Sequence, residues 1–386
     1  MWKVFLTGAT GFLGGELAVA LSKTDSADKV VCLIRAACDA EARDRLARVF
    51  SLHGDTYDPN RLLAVAGDLS DNQLERSLAR HPALKDINLV IHAGANTSFL
   101  KQKYPVLEET NVRGTHRIAS WASKLSSLEA FAHIGTATIA GAGEDVMGRT
   151  LPEVEPDFSA RHLVGYTRSK LLAEVTALAT IPRNKLTVIR PSILLGDTRG
   201  VVPRSFDIAW ILIAIKQLRM FFGNPDAACD IIPVDYAASA IVRLMMVRRR
   251  HTTYHVSAGP SATTSRKTLA TIVDEEPGKP PLVFCSKSDL ELIKTWLRGN
   301  GDPDSALAKY ADQIAYIRRS IGKKRARILL SGLEAYWPFI DLSQRFDNSR
   351  LLADTGIGLP EPAHEYLKRT GVYLQNIDPV EAAFNP

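Results

Sequence analysis

Near-continuous apolar runs alternate with amphipathic segments through roughly the first 200 residues of the chain. Apolar runs without polar interruption indicate strands that are buried on both faces. Their alternation with helical segments predicts an α/β fold with a parallel, doubly wound sheet. The predicted strands are residues 3–8, 29–35, 62–69, 88–95, 128–137 and 185–196, and helices are predicted over 12–22 and 42–53.

The pattern changes after about Gly196, which predicts a second and smaller domain. Residues 230–246 and 253–259 are typical of a helix and a strand that return to the sheet, whereas the chain beyond about Pro260 is mostly helical in pattern. We therefore expect a sheet domain and a mostly helical domain. The first is expected to comprise residues 1–196 and about 228–258, and the second about 197–227 and 259–386.

The helical region contains three features that predict local structure. Ser288 and Glu291 have the spacing of a capping box at the start of a helix over 288–297. Apolar residues at helical spacing predict a further helix over 307–321. The apolar run Ile208–Ile215 is too short for a bilayer, which needs about 20 residues, and predicts a core or pocket helix, with contact to a lipid surface as the alternative. Core positions are also expected for Trp296, Trp337 and Phe339.

Composition narrows the class of protein. Lys and Arg (48) exceed Asp and Glu (42) by six over 386 residues, a mildly basic balance that gives no reason to expect a nucleic-acid partner. Strand-like sequence already begins at Trp2 and Lys3, so we expect no signal peptide. The four cysteines have no metal-like spacing, so we expect reduced thiols in a cytoplasmic protein and no metal site. They are Cys32, Cys38, Cys229 and Cys285.

The segment TGATGFLG (7–14) joins the first predicted strand to the first helix. Gly8 permits a tight turn, Gly11 permits close approach of the backbone to a pyrophosphate, and Gly14 permits close packing of helix on strand. The helix N-terminus attracts the anion. This context predicts a dinucleotide-binding loop, although the spacing G-x-x-G-x-x-G differs from that of the common Rossmann dehydrogenases.

Two strand ends bear on which dinucleotide binds. NAD-preferring sites usually place an acidic residue after the second strand, but this chain has Arg35 there, and an arginine favours a 2′-phosphate. We therefore predict NADPH. Asp68 and Leu69 follow the third strand and are placed to border the adenine, with capping of the strand end as the alternative for Asp68.

The stretch GYTRSKLLAE (165–174) contains Tyr166 and, four residues later, Lys170. On a helix these two side chains share a face, and a nearby ammonium would lower the pKa of the phenol and make Tyr166 a usable general acid. The predicted fifth strand leads into Thr136, whose hydroxyl can bond a substrate carbonyl oxygen, with Thr138 as the weaker alternative. The order of glycine loop, strand-end threonine and Tyr-x-x-x-Lys helix predicts an oxidoreductase site.

The chain resembles the extended short-chain dehydrogenase/reductases, and within them the branch of thioester reductases and fatty acyl-CoA reductases. The resemblance implies that Thr136, Tyr166 and Lys170 are catalytic and that Asn111 orders the active-site backbone and helps to position Lys170 through water. It also makes Arg35 the ligand of the 2′-phosphate. The matching stretches are TGATGFLG, VVCLIRA (30–36), GDLS (67–70), IHAGANTSF (91–99), NVRGT (111–115), YTRSK (166–170), VIRPSILLG (188–196) and DIIPVDYAASAI (230–241).

The same stretches imply which residues contact the cofactor. Gly94 departs from the branch, where alanine is usual, and Gly135 stands where serine is common. Beyond residue 260 the resemblance is faint and is carried mainly by FDNSRLL (346–352). The expected cofactor-binding residues are Gly8, Thr10, Gly11, Phe12, Leu13, Gly14, Arg35, Asp68, Leu69, Ala93, Gly94, Lys170, Pro191, Ser192 and Ile193.

The resemblance implies an NADP-binding Rossmann domain, a helical substrate domain, and NADPH-dependent reduction of an acyl thioester to an aldehyde or onward to the alcohol. Coenzyme A and an acyl carrier protein are both open as the thiol. The basic runs GKKRAR (322–327) and RRRH (248–251) could receive either of them or an acidic membrane surface. The alternatives are a hydroxysteroid dehydrogenase, a sugar-nucleotide epimerase, and a non-catalytic NADP-binding sensor. The sequence leaves the oligomeric state undetermined.

Overall fold

The structure is a computed structural model that describes residues 1–200, 206–274, 278–299, 302–339 and 342–373. Its strands are β1 (Trp2–Thr7), β2 (Ala27–Ile34), β3 (Leu62–Ala66), β4 (Leu89–His92), β5 (Ala130–Ile134), β6 (Thr150–Leu151), β7 (Leu186–Pro191), β8 (Ile193–Leu194), β9 (Met220–Phe222), β10 (Ala228–Cys229), β11 (Ile231–Ile232), β12 (Thr253–Val256), β13 (Thr264–Ser265), β14 (Val283–Cys285) and β15 (Arg345–Phe346). Its α-helices are α1 (Phe12–Lys23), α2 (Asp39–Leu52), α3 (Leu74–Arg80), α4 (Tyr104–Leu107), α5 (Gly114–Ser123), α6 (Gly165–Thr180), α7 (Phe206–Leu218), α8 (Val234–Met246), α9 (Gly259–Ala262), α10 (Arg266–Asp274), α11 (Lys287–Arg298), α12 (Ala311–Tyr316), α13 (Lys323–Leu333), α14 (Ser349–Thr355) and α15 (Ala363–Tyr373). Two π-helical turns span Glu108–Arg113 and Ile317–Ile321.

The central sheet confirms the predicted doubly wound α/β fold. Its seven strands are parallel and lie in the order β12-β7-β5-β4-β1-β2-β3. Strand order reverses between β1 and β4, and open sheets of this kind bind ligands beyond the carboxyl ends of the strands at that point. The fold therefore places the loops after β1 and β4 at the centre of a potential binding crevice.

The two faces of the sheet pack against separate apolar cores. Val4 and Leu6 of β1 belong to one core with residues of α1 and α8, whereas Phe5 points to the opposite core. There Phe5 packs against Trp121 of α5, with ring centroids 4.7 Å apart. Alternate side chains of a strand point to opposite faces. The unbroken apolar run in β1 is therefore explained by burial on both sides.

Most strands end earlier than the sequence pattern predicted. The predicted strands 62–69, 88–95 and 128–137 end in the structure at Ala66, His92 and Ile134. The residues released from these strands form loops at the carboxyl edge of the sheet. The apolar pattern continued past each strand because these loops are themselves partly buried.

The helical region has its own core around α7, α11 and α13, in which Trp210 and Trp296 are buried as expected. The helix predicted over 307–321 is confirmed only in part, because the stretch is helical but is not one regular α-helix. A 3₁₀ turn (Ser305–Tyr310), α12 and the second π-helical turn occupy that stretch. The hydroxyl of Tyr310 donates to Asp289 at 2.7 Å, and this contact accompanies a backbone conformation at Tyr310 that is not helical.

The predicted capping box at Ser288 and Glu291 is also wrong. In the structure Ser286 and Asp289 form the box, and α11 begins at Lys287. Asp289 is the residue that also accepts the hydrogen bond of Tyr310 and pairs with Lys309 at 2.8 Å. The capping residue Asp289 is therefore also contacted by Tyr310 and Lys309, and sequence spacing alone does not identify these contacts.

A short segment, Gln344–Arg350, ties the helical region back to the sheet and contains most of the FDNSRLL motif. The buried carboxylate of Asp230 accepts from the backbone N–H of Phe346 at 3.0 Å, and that of Glu153 accepts from Arg350 N–H at 3.0 Å. The amide of Gln344 donates to the carbonyl of Gly141, just beyond the loop after β5. The segment therefore supports the carboxyl edge of the sheet from one side.

The structure also bears on membrane association and on thiol chemistry. No helix within the described ranges is long and apolar enough to cross a bilayer, and α7 has only 13 residues. Several residues of α7 are buried, as the expectation of a core or pocket helix requires. All four cysteines are free thiols, as predicted.

Candidate active site

The glycine loop after β1 has the geometry that a dinucleotide requires. Gly8 has φ +79°, a conformation that favours glycine, and its carbonyl accepts from Gly11 N–H at 2.8 Å. A Cβ added at Gly14 would lie 1.9 Å from the carbonyl oxygen of Gly8. Only glycine permits α1 to start this close to the turn. The turn therefore presents the N-terminus of α1 at the crevice, where the first N–H groups of a helix have no partner within the helix.

The loop after β4 packs directly against this turn. A Cβ at Gly8 would meet Gly94 N at 2.8 Å and Ala93 at 2.9 Å, so the two loops are in backbone contact. A Cβ at Gly94 would lie 2.9 Å from Leu69 Cδ1 and 3.0 Å from Thr7 Oγ1. The departure from alanine at position 94 is thus explained by crowding around Leu69. The backbone of both loops fits a pyrophosphate held close to the chain.

Arg35 follows β2 directly, as predicted, and its side chain is exposed. Partial burial raises the pKa of Asp68, but hydrogen bonds from Ser70 and the positive charge of Arg35 bring it below its ordinary value. Asp68 Oδ1 accepts from Ser70 N–H at 2.8 Å, which is the capping role foreseen as the alternative for this residue. Arg45 of α2, which the sequence did not single out, donates to the carbonyl of Arg35. Two guanidinium-bearing residues therefore meet at the end of β2.

Tyr166 and Lys170 lie in the first turns of α6. Lys170 is buried, with 5 % of its surface exposed, and its Nζ donates to the carbonyl of Ile134 at 2.6 Å. Burial lowers the pKa of Lys170 to about 8, against an opposing effect of Glu174. Glu174 is itself paired with the buried guanidinium of Arg190 at 2.6 Å. The ammonium is therefore fixed to the last residue of β5.

The expectation that Lys170 lowers the pKa of Tyr166 is wrong for this structure. Burial raises the pKa of Tyr166 to about 12. The Lys170 ammonium is engaged with the Ile134 carbonyl and does not offset this burial. The phenol is therefore protonated throughout the neutral range, which is the form that a general acid needs before it donates.

Thr136 follows β5 by two residues and is 8 % exposed. It begins a short 3₁₀ turn over Ala137–Ala140, and α6 packs against that turn. Its hydroxyl lies 2.9 Å from the hydroxyl of Thr138, which is half-buried. The two candidate threonines therefore share one hydrogen bond at the carboxyl edge of the sheet.

Asn111 lies in the π-helical turn Glu108–Arg113, and such turns frequently occur at functional sites. The Asn111 amide donates to the Asn96 carbonyl at 2.9 Å and accepts from the Asn96 N–H at 2.7 Å, which orders the backbone after β4 as predicted from the resemblance. It also donates to Ser169 Oγ at 2.8 Å, one residue before Lys170. Asn111 is therefore in direct contact with α6, and its link to Lys170 through water stays a prediction.

Several residues of this site were missed in the sequence. Phe99, the last residue of the stretch IHAGANTSF, has its ring 5.5 Å from that of Tyr166. It also contacts Tyr336 at 5.2 Å and Phe339 at 5.3 Å. Phe339 was expected in the core, but it is half-buried in this aromatic cluster. The available signal was that Phe99 falls inside a stretch that carried the resemblance.

The two basic runs differ in their surroundings. In RRRH, Arg249 donates to the carbonyl of Met245 at the end of α8, and Arg250 pairs with Asp354 at 2.5 Å. Two of the three arginines of this run therefore already have partners within the protein. In GKKRAR, Lys324 and Arg327 of α13 are exposed. They are three residues apart, which places them on one face of the helix.

The comparisons with known proteins agree with this geometry. A family model described as male sterility protein matches residues 6–241. The chain is 31% identical over 277 residues to a linear gramicidin synthase protein of Brevibacillus parabrevis, covering 69% of this chain and 5% of that protein. It is 26% identical over 277 residues to fatty acyl-CoA reductase wat of Drosophila melanogaster, covering 62% of this chain and 53% of that protein.

Among solved structures, the fold matches the terminal R domain from the myxalamid PKS-NRPS biosynthetic pathway with a TM-score of 0.72. The identity is 22%, and the match covers 97% of this chain and 90% of that one. The chain thus shares the fold of that domain, whereas it spans about half or less of the two curated relatives named above.

Proposed function

The chain belongs to the male sterility protein family, and from that premise we propose that it is an NADPH-dependent reductase that converts an acyl thioester into an aldehyde. Its predicted place in the branch of thioester reductases and fatty acyl-CoA reductases is confirmed by the family match and by the fold. A nicotinamide dinucleotide is the cofactor that this family and fold support.

The observation that carries the proposal is the attachment of α6 to two loops at the carboxyl edge of the sheet. Lys170 bonds to the end of β5, and Ser169 bonds to Asn111. These contacts hold the helix that bears Tyr166 beside the turn that bears Thr136. The roles of all four residues remain part of the proposal.

A reduced nicotinamide bound in this crevice would supply the hydride that the carbonyl carbon of the thioester accepts in the proposed reaction. As negative charge develops on the carbonyl oxygen, Thr136 donates a hydrogen bond to it and Tyr166 donates its phenolic proton. The resulting hemithioacetal breaks its carbon–sulfur bond, which releases the thiol and leaves the aldehyde. Lys170 would hold the cofactor ribose, and Asn111 fixes the backbone on which Tyr166 and Lys170 are placed.

The preference for NADPH over NADH is supported by Arg35. Its exposed guanidinium follows β2, where the ribose of the adenosine is bound in this fold, and no acidic residue occupies that position. The remaining predicted cofactor contacts, from Thr10–Leu13 to Pro191–Ile193, lie at the same carboxyl edge. We propose that the sheet and its helices form the cofactor domain, and that residues about 197–227 and 259–386 bind the acyl group.

The thiol partner is proposed to be an acyl carrier protein, with coenzyme A as the alternative. Two similar proteins support a carrier: one belongs to linear gramicidin synthase and the other is a terminal domain from a PKS-NRPS pathway. Both thiols are anionic, and the exposed pair Lys324 and Arg327 offers them positive charge. We also propose a cytoplasmic location, with contact to an anionic membrane surface as the alternative.

The test is the oxidation of NADPH, followed at 340 nm, with four substrates: a carrier-bound acyl thioester, a long-chain acyl-CoA, a sterol ketone and a UDP-sugar. We expect turnover with a thioester and none with the other two classes. The variant Tyr166→Phe should keep NADPH affinity and lose roughly 10²–10⁴-fold in turnover, the usual scale for a positioned acid. Turnover only with the ketone or the sugar nucleotide would refute the proposal, and full activity of Tyr166→Phe would remove Tyr166 from the mechanism.

A further inference from the structure

A buried chain of hydrogen bonds runs beneath the site, centred on His92 at the end of β4. The ring of His92 is 2 % exposed, with Nδ1 2.8 Å from Thr7 Oγ1 and Nε2 3.0 Å from Thr115 Oγ1. Thr7 Oγ1 also accepts from Gly94 N–H at 2.9 Å. Thr115 Oγ1 donates to the carbonyl of Asn111 at 2.6 Å. Every polar atom of the histidine ring therefore has a partner.

The direction of each hydrogen bond follows from donor counting. Each threonine hydroxyl has a single proton, and a carbonyl can only accept. Because Thr115 gives its proton to the Asn111 carbonyl, it must accept from His92 Nε2–H. His92 Nδ1 is then an acceptor and receives the proton of Thr7. Burial, with a smaller effect of the Lys170 charge, lowers the pKa of His92 to about 3, so the ring stays neutral.

Both ends of the chain lie on functional elements. At one end, the backbone of Gly94 is in contact with Gly8 of the dinucleotide loop. At the other end, the side chain of Asn111 donates to Ser169 Oγ, which donates to the carbonyl of Tyr166 at 2.8 Å. These hydrogen bonds, together with the backbone contact between Gly94 and Gly8 and the covalent structure of Asn111, join the cofactor loop to the first turn of α6.

We propose that His92 is a positioning residue that couples dinucleotide binding at the glycine loop to the placement of Tyr166, acting as the neutral link between Thr7 and Thr115. The proposal rests on the function proposed above for its effect on turnover, although the coupling itself does not require that function. A change at Gly94 on cofactor binding is passed to Asn111 only while the ring nitrogens of His92 donate and accept as described.

His133 provides a matched control. It is the register partner of His92 on the adjacent strand β5, it is fully buried, and the two rings are 5.9 Å apart. Within the part of the chain that the structure describes, neither nitrogen of His133 has a hydrogen-bond partner. The variants His92→Phe and His133→Phe therefore make the same change of side chain in the same layer, but only the first breaks the chain.

The first experiment measures amide hydrogen exchange of a peptide covering residues 163–172, with and without NADPH. In the wild type and in His133→Phe, we expect NADPH to slow exchange in this peptide, because the cofactor loop and α6 are coupled. In His92→Phe, NADPH should still bind but the protection should be lost. This readout needs no turnover, so it decides the coupling even if the proposed reductase activity is absent. Equal protection in His92→Phe and His133→Phe would overturn the proposal.

The second experiment is a double-mutant cycle with Thr7→Val and Thr115→Val, two residues that are linked through His92. We expect the kcat of each single variant to fall by roughly tenfold or more, since a misplacement of about 1 Å can cost about 100-fold in rate, and the double variant to lose little further. Thr115→Ser, which keeps the hydroxyl, should restore the wild-type rate. Additive losses in the cycle, or no rescue by serine, would contradict the coupling, and this cycle decides the case if His92→Phe does not fold.

Discussion

The proposed preference for NADPH rests on a single side chain, that of Arg35, so the variant Arg35→Ala tests it directly. A charge-assisted hydrogen bond contributes about 1.5–3 kcal/mol. Arg35 is exposed, and the carboxylate of Asp68 lies close enough for the Arg35 charge to lower its pKa, so water and Asp68 both compete with a phosphate. We therefore take the lower part of this range, about 1.5–2 kcal/mol, which corresponds to roughly 10- to 30-fold in affinity.

The assay compares kcat/KM for NADPH and NADH at saturating thioester, and fluorescence titration of the two reduced cofactors gives the same comparison without turnover. Arg35→Ala should lose roughly 10- to 30-fold with NADPH and change little with NADH. The exposed Arg48 of α2 supplies the control, because Arg48→Ala removes the same charge at a position further along the chain. The difference between the cofactors should also shrink in high salt. An equal loss with both cofactors, or none with NADPH, would refute the assignment of Arg35 to the 2′-phosphate.

Three further predictions follow from the structure. Gly14→Ala would place a Cβ 1.9 Å from the Gly8 carbonyl oxygen, so calorimetry should show a loss of about 1–3 kcal/mol in the free energy of unfolding, and titration should show a weaker affinity for NADPH. Unchanged binding of NADPH would mean that the turn is not the cofactor loop. Burial raises the pKa of Glu153 from 4.5 to about 7, so its contribution to stability is present near pH 5 and is lost as the pH rises through 7. The melting temperature of the wild type relative to that of Glu153→Gln should therefore fall between pH 5 and 8, and a constant difference would contradict this. Lys324→Glu combined with Arg327→Glu should raise KM for the acyl thioester roughly 3- to 10-fold at low salt with kcat unchanged, and an unaltered KM would place the thiol partner elsewhere.

The local sequence pattern predicted helix boundaries least well where residues distant in the chain contact the helix end. The start of α11 illustrates this, because Ser288 with Glu291 and Ser286 with Asp289 both have serine three residues before an acid. In the structure, Asp289 also receives Tyr310 and Lys309 from a segment about 20 residues away. The same contact interrupts the predicted helix over 307–321. The periodicity of one segment cannot show that Tyr310 and Lys309 contact Asp289.

Tyr166, the proposed general acid, shows the same limit for the prediction of a pKa. Spacing placed Tyr166 and Lys170 on one face of a helix, and the structure agrees. The direction of the pKa shift was nevertheless wrong. Burial acts on Tyr166, and the Lys170 ammonium is engaged by the carbonyl of Ile134. Which partner a long side chain chooses depends on the backbone groups around it, and those belong to another strand.

The sequence by itself determined the architecture and the identity of the candidate groups. Unbroken apolar runs require strands buried on two faces, and a turn that packs a helix tightly on β1 requires glycine at positions 8 and 14. Both are properties of residues that are neighbours in the chain, so the sequence alone is enough to predict them. Only the tertiary structure decided that His92, Thr7 and Thr115 meet beneath the crevice and that Phe99 covers Tyr166. Such contacts form between residues that are far apart in the chain, because the packing of parallel strands and helices, rather than local sequence, sets the distances between them.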